Sequence, residues 1–319
     1  MSPIAEASRH TLSDGPSRLR IPGTRWVVEQ MDRHPSRTFL WPAMLVLLGL
    51  TIFPFVYSLV LSFNKWNLSD RTATWTYVGF ANYVGILTKD PYFWSAVKVT
   101  AIYLTATVTI EFVLGLVIAF LISQEERFVG LIRTVIVIPM MTTPAVVGLI
   151  WRFMYNPELG MINYFLGVIG IKGPIWLGDP STALVSVMIA DVWEWTPFMI
   201  LIMLAALQSV ATEPLEAGVV DGASRLQLFR FIVLPTIQPA IVVALLLRAI
   251  DSFKTFDLIY VLTQGGPGIT TQVLSLYTYK WGFKFFEMGY AAAMSYAMLI
   301  AVDLIATLGM RFVTWQSKK

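Results

Sequence analysis

The chain has no cysteine and only two histidines in 319 residues, and charged residues make up 13% of it, against about a quarter in an ordinary soluble domain. Without cysteine there are no disulfides and no thiolate metal sites, and His10 and His34 both fall in a polar N-terminal stretch, so no metal site is expected. No Gly-x-x-x-x-Gly-Lys-[Ser/Thr] phosphate loop, no Gly-x-Ser-x-Gly elbow and no zinc-ligand helix occurs. The carboxylates are scattered rather than gathered into an acid, base or nucleophile set, which argues against a membrane enzyme. A net charge of +3 with dispersed basic residues gives no nucleic-acid patch. The first 37 or so residues hold no apolar run, so no cleavable signal peptide is expected. There is no evident internal repeat or low-complexity tract.

What is present is apolar, with 56% of residues hydrophobic. Six stretches, approximately 39–61, 94–122, 131–153, 183–207, 231–250 and 288–312, approach or exceed the ~20 helical residues that cross a hydrocarbon core. None shows the alternation of a membrane barrel strand, and in lipid every backbone polar group needs an internal partner. The expected fold is therefore an all-α membrane protein with six transmembrane helices. Arg9, Arg18, Arg20, Arg25, Arg33 and Arg37 precede the first span, which puts the N-terminus in the cytoplasm and, after six crossings, the C-terminus there too. The loop around 208–230 then faces the cytoplasm. Aromatic residues crowd the opposite loops, from Trp66 to Trp94 and at Trp176, as in an interfacial belt.

That cytoplasmic loop is unusual. Thr212 stands as an N-cap before Glu213 and Pro214, a pairing that suits the start of a helix. Asp221-Gly222 allows a sharp bend before helical spacing resumes at Ala223, so two short helices should meet at Gly222. Pro235 and Pro239 should bend the following span. On physical pattern alone the stretch also suits a short interfacial amphipathic helix.

The order Glu216-Ala217-Gly218, then Gly222, then Ile232, Leu234 and Pro235 resembles the EAA loop of ABC-importer permeases, with glycine where the third residue of the triplet is usually alanine. Val78-Gly-Phe-Ala-Asn-Tyr83, Arg133 through Pro139, Trp151 through Gly160 with Asn163, and Phe256 through Pro267 are similar to the carbohydrate-uptake permeases of type I importers, of maltose and glycerol-phosphate kind. The resemblance extends from the first span to the last.

It implies a type I importer permease fold in the bacterial inner membrane. The organisation would be a polar tail at 1–37, a transmembrane domain at 38–315 with its coupling loop at about 208–230, and a cytoplasmic end at 316–319. It implies as partners a second, different permease, two ATP-binding subunits holding ATP and Mg, and an extracytoplasmic solute-binding protein, with no cofactor and no catalytic residue in this chain. Glu216, Ala217, Gly218, Asp221, Gly222 and Ala223 would form the coupling helix, where small side chains permit close approach and the acids meet basic groups. Gly265, Gly266 and Pro267 would touch the binding protein.

For the solute, the costly polar groups inside spans are the candidates. Arg248, Ser252 and Thr255 share one helical face by spacing, and Asp191, Glu194, Trp195 and Phe198 form a second cluster. Glu194, Trp195, Phe198, Arg248, Ser252 and Thr255 are thus expected to line the path of a sugar or polyol. Arg248 also admits an anionic solute, and Glu194 and Arg248 alternatively pair with each other. Glu111 and Asp303 lack titratable neighbours in sequence and are expected to find structural partners rather than relay protons. The rival function is a self-sufficient secondary transporter, which would need an ion site and inverted repeats or broken helices.

Overall fold

A computed structural model of the chain describes residues 35–70, 72, 74–124 and 129–316. Most of the polar tail at 1–37, part of the loop around 124–127 and the last three residues lie outside the described residues. Contacts within the chain divide it into two units, 1–58 and 59–319.

The first unit contains α1 (Pro35–Leu47), a π-helical turn (Leu48–Ile52) and the start of α2 (Phe53–Ser62). The second opens with a two-stranded antiparallel hairpin, β1 (Asn64–Lys65) and β2 (Thr76–Tyr77), then α3 (Ala81–Thr88) and α4 (Pro91–Ser123). Next come α5 (Val129–Val137), α6 (Pro144–Met154), α7 (Met161–Val168) and α8 (Ala183–Gln208). The remainder is α9 (Thr212–Val220), α10 (Arg225–Leu228), a second π turn (Phe229–Val233), α11 (Leu234–Phe253), α12 (Asp257–Leu262), α13 (Leu274–Phe283) and α14 (Met288–Gln316).

Among the described residues five helical stretches are long and apolar enough to cross a membrane: Leu40–Ser62, Pro91–Ser123, Ala183–Gln208, Arg225–Phe253 and Met288–Arg311. The stretch read from sequence as one span at 131–153 is instead broken. α5 ends at Val137, a 3-10 turn covers Pro139–Met141, and α6 restarts at Pro144. Pro139 and Pro144 lack the N–H that a continuous helix requires, and Thr143 before the second proline is extended (ψ 143°). The two π turns have a common setting, because each stands just before an x-Pro pair, Phe53-Pro54 and Leu234-Pro235. Widening a turn is one way to keep a helix running past a proline that removes a bond and crowds the carbonyl four residues back.

α4 is the organising helix. Asp90 caps it, accepting from the backbone N–H groups of Tyr92 and Phe93 at 3.1 Å each, with Pro91 in the first turn. Apart from Val108 beside Thr107, its buried residues, Phe93, Ala96, Thr100, Tyr103, Thr107, Glu111, Gly115, Ala119 and Ile122, recur every three or four positions and make a single stripe. Along it α8 packs closely: a β-carbon at Gly115 would stand 2.5 Å from Met199 Cβ, so glycine sets the approach of the two spans, as small residues do in membranes. One apolar cluster joins α4, α6, α8 and α12 around Tyr103, Trp151, Val187 and Leu258. Another joins α4, α8 and α11 around Ala119, Met203 and Ile241. A third, around Ile86, Tyr277 and Met294, ties α3, α13 and α14 to the start of α4.

Candidate functional site

Between the two larger clusters the stripe of α4 becomes polar. Arg248 of α11 reaches across to Glu111 of α4, with Nε to Oε2 at 2.7 Å and Nη2 to Oε1 at 2.9 Å, a bidentate fork. The same Nη2 donates to Asp191 Oδ2 of α8 at 2.5 Å, and Nη1 to Asp251 Oδ2, three residues on, at 3.2 Å. The guanidinium carbon also lies 5.0 Å from the centre of the Trp195 ring, a cation–π contact. The side chains of Arg248, Glu111 and Asp191 are no more than 3% exposed, whereas that of Asp251 is half exposed. Ser252 and Thr107 add a hydroxyl contact at 3.3 Å one turn further on. Three spans are thus held by one buried cation, whose three nitrogens are all engaged.

This arrangement excludes one of the open alternatives and bears out one expectation. Arg248 pairs with Glu111, Asp191 and Asp251, not with Glu194, and Glu111 has the structural partner expected of it. Glu194 is 1% exposed, and its Oε2 is buried without a hydrogen-bond partner. It lines a cavity of about 280 Å³ together with Pro144, Asp191, Trp195, Asp251, Lys254, Thr255, Phe256, Asp257 and Leu258. Of the six residues expected on the solute path, Glu194, Trp195 and Thr255 meet at this cavity. Arg248 and Ser252 lie buried behind it, and Phe198 meets Trp195 edge-on (79°) while packing on the apolar side. Asp251 and Asp257, not singled out from sequence, are part of its wall. Among the described residues no cluster of three or more His, Asp or Glu is arranged to hold a metal ion.

The two short helices after α8 do meet at Gly222, which has φ +81°. The N–H of Ala223 donates to Gly218 O at 2.9 Å and that of Gly222 to Val219 O at 3.0 Å, the paired bonds of a Schellman motif. The expected Thr212 cap is absent: Ala211 occupies the cap position with no side-chain bond, and Thr212 is the first helical residue. The side-chain cap sits instead on α10, where Ser224 and Gln227 form a capping box. Its Ser-x-x-Gln spacing is legible in the sequence. Gly218 lies where α9 approaches α10, since a β-carbon there would stand 2.5 Å from Leu228 Cδ2, the mobile end of that side chain. Glu216, Ala217, Asp221 and Gly222 are exposed, and Gly218 and Ala223 are half-buried.

Of the residues expected to touch a binding protein, Gly265 is buried against Lys280 and Leu276, and Gly266 and Pro267 are half-buried. The loop is tied internally by Thr271, whose hydroxyl pairs with Thr263 Oγ1 (2.7 Å) and Gly266 O (2.8 Å). Its exposed points are Gln264 and Gly268. Lys280, which bonds Gln272 Oε1 at 2.5 Å, is held below the usual lysine range by burial and by neighbouring Lys284.

Residues 111–319 match the family described as the binding-protein-dependent transport system inner membrane component. The chain belongs to this family. Relatives of this transport component include the probable ABC transporter permease protein y4oQ of Sinorhizobium fredii, 40% identical over 289 residues, or 90% of this chain and 93% of that one. The trehalose/maltose transport system permease protein MalF of Thermococcus litoralis is 36% identical over 226 residues, 71% and 76% of the two chains. The trehalose transport system permease protein SugA of Mycobacterium tuberculosis is 39% identical over 275 residues, 86% and 87%. In fold, the permease is similar to a chain of a bacterial ABC transporter involved in the import of the acidic polysaccharide alginate, with a TM-score of 0.76 over 91% of this chain and 98% of that one at 21% identity. It is a multi-pass permease subunit of an ABC importer and not an enzyme; ATP hydrolysis belongs to a separate subunit.

Proposed function

We propose that this permease moves a sugar, polyol or related solute into the cytoplasm as one of two unlike membrane subunits of a binding-protein-dependent importer working by alternating access. The cargo class is supported by its trehalose and maltose relatives. In this reading the broken pair α5 and α6 completes a sixth crossing, both termini are cytoplasmic, and 1–37 is a polar arm outside the transmembrane domain at 38–315. Two partner subunits bind ATP and Mg, and close on the loop at 208–230. Glu216, Ala217, Gly218, Asp221, Gly222 and Ala223 form the coupling surface, and the loop of Gly265, Gly266 and Pro267 meets the solute-binding protein through its exposed neighbours. Solute passes Glu194, Trp195 and Thr255, with Phe198 supporting Trp195; Arg248 and Ser252 position that wall.

The observation that carries the proposal is the exposed two-helix unit after α8. Val219, Val220 and Leu226 are 61%, 87% and 74% exposed on it, beside the exposed acids Glu216 and Asp221. Apolar side chains left bare next to charge on a fixed turn suit docking to another protein. The test is the subunit composition of the complex purified gently from native membranes, by intact mass. One copy of this chain with a second permease and two ATPase subunits is the expected result. A lone chain or homodimer that transports without ATP would refute it and favour a secondary transporter.

A further inference from the structure

The cavity beside Trp195 is polar and acidic. Its walls carry four carboxylates, Asp191 and Asp251, which pair with Arg248, and Glu194 and Asp257, which do not, against one amine, Lys254. Arg248, buried behind the wall, contributes little to a solute: its side chain is 1% exposed, and its nitrogens are committed to Glu111, Asp191 and Asp251. Glu194 is different from the other acids, being 1% exposed while one of its oxygens has no partner at all. A buried polar atom left unsatisfied is uncommon and calls for a ligand or a function. A carboxyl oxygen carries lone pairs that accept hydrogen bonds, so a hydroxyl or ammonium donor is a partner that this bare oxygen can take. The aromatic and apolar remainder of the lining, Trp195, Phe256, Leu258 and Pro144, suits the C–H faces of a small polar solute.

We infer that this cavity selects neutral or cationic solutes bearing hydroxyl or ammonium donors and repels anionic ones, with Glu194 as the specificity-determining residue. The inference rests on the importer reading and narrows it, because the guanidinium that would favour a sugar phosphate or uronate is already neutralised by its neighbours. A unit charge about 6 Å away at an effective dielectric of about 20 biases local ion concentration by about a hundredfold before screening. A discrimination of at least about tenfold between cation and anion is therefore expected at the cavity wall.

The absence of cysteine from the whole chain provides the experiment. Thr255→Cys places a single thiol in the lining, and the assembled importer, with its subunit composition determined, is exposed to cationic, anionic and uncharged methanethiosulfonate reagents, each normalised to its rate with a free thiol. The cationic reagent should react at least about tenfold faster than the anionic one. Glu194→Gln, which preserves shape, should bring the ratio severalfold closer to one, and Asp257→Asn at the exposed start of α12 should do so without disturbing a buried group. A ratio near one would overturn the inference by showing that the wall carries no effective negative charge in the assembled importer. A ratio unmoved by Glu194→Gln, or no reaction even with the uncharged reagent, would also overturn it. None of these outcomes requires the solute to be known, and a complex lacking ATPase subunits would count against the importer reading instead.

Discussion

Replacing Gly222 separates backbone geometry from side-chain contact at the coupling loop. The residue sits at φ +81°, and a β-carbon built there would meet no atom within 4 Å, so substitution costs only the conformational penalty of placing an L-residue in the left-handed region. That penalty is about 1–2 kcal/mol for alanine, more for a β-branched residue, and less for asparagine, which visits this region readily. It falls on the two bonds that close α9, from Ala223 N to Gly218 O and from Gly222 N to Val219 O. Since about 1.4 kcal/mol is a factor of ten, Gly222→Ala should lower the population of the closed turn up to about tenfold or somewhat more, and Gly222→Val further. The assay is solute-stimulated ATP hydrolysis by the purified complex together with retention of the ATPase subunits through size exclusion, with the thermal midpoint of the membrane domain as control. The expected order is Gly, then Asn, then Ala, then Val, with the midpoint little changed. Full coupling by Gly222→Val would refute the reasoning. Asparagine worse than alanine would show that the partner needs the bare glycine surface rather than its backbone angle.

Arg248→Met should destabilise the membrane domain by about 3–5 kcal/mol, because Glu111 and Asp191 are left buried without their cation; adding Glu111→Leu should recover part of it. An unchanged thermal midpoint would sink the network. Asp90→Ala removes the cap of α4 and the acceptor shared by the hydroxyls of Tyr277 and Tyr290, costing about 1–3 kcal/mol and raising hydrogen exchange in the first turn of α4. Gly115→Ala drives a methyl against Met199 and should cost about 1–3 kcal/mol by overpacking, read in denaturant midpoints; a neutral result would mean that the spans separate freely.

The long helices were legible because apolar length alone identifies them, and Gly222 was legible because Asp-Gly between two helical patterns has few other uses. The broken stretch at 131–153 was missed although both prolines were in plain view, since summed hydropathy outweighs two breakers when a window is averaged. Arg248 and Glu111 were each conspicuous as intramembrane charges. Their pairing was not legible, because a separation of 137 residues carries no periodic signal linking α4 to α11, and the nearer Glu194 offered itself as the simpler partner. The polarity of the cavity followed the same course: only once Arg248 is seen to be consumed does the surplus of carboxylates become apparent.

The stretch Arg225–Phe253 runs as one helix from the capping box to the ion cluster. At 1.5 Å per residue it is about 43 Å long, with Ser224 bounding one end and Arg248 and Asp251 near the other. Moving as a unit, such a continuous helix is a lever. A tilt of about 5° about one end moves the other by about 4 Å, more than the length of any of the ion pairs gathered on Arg248. In the proposed importer, a push at the cytoplasmic end would therefore reach the solute cavity with no loop in between to absorb the stroke.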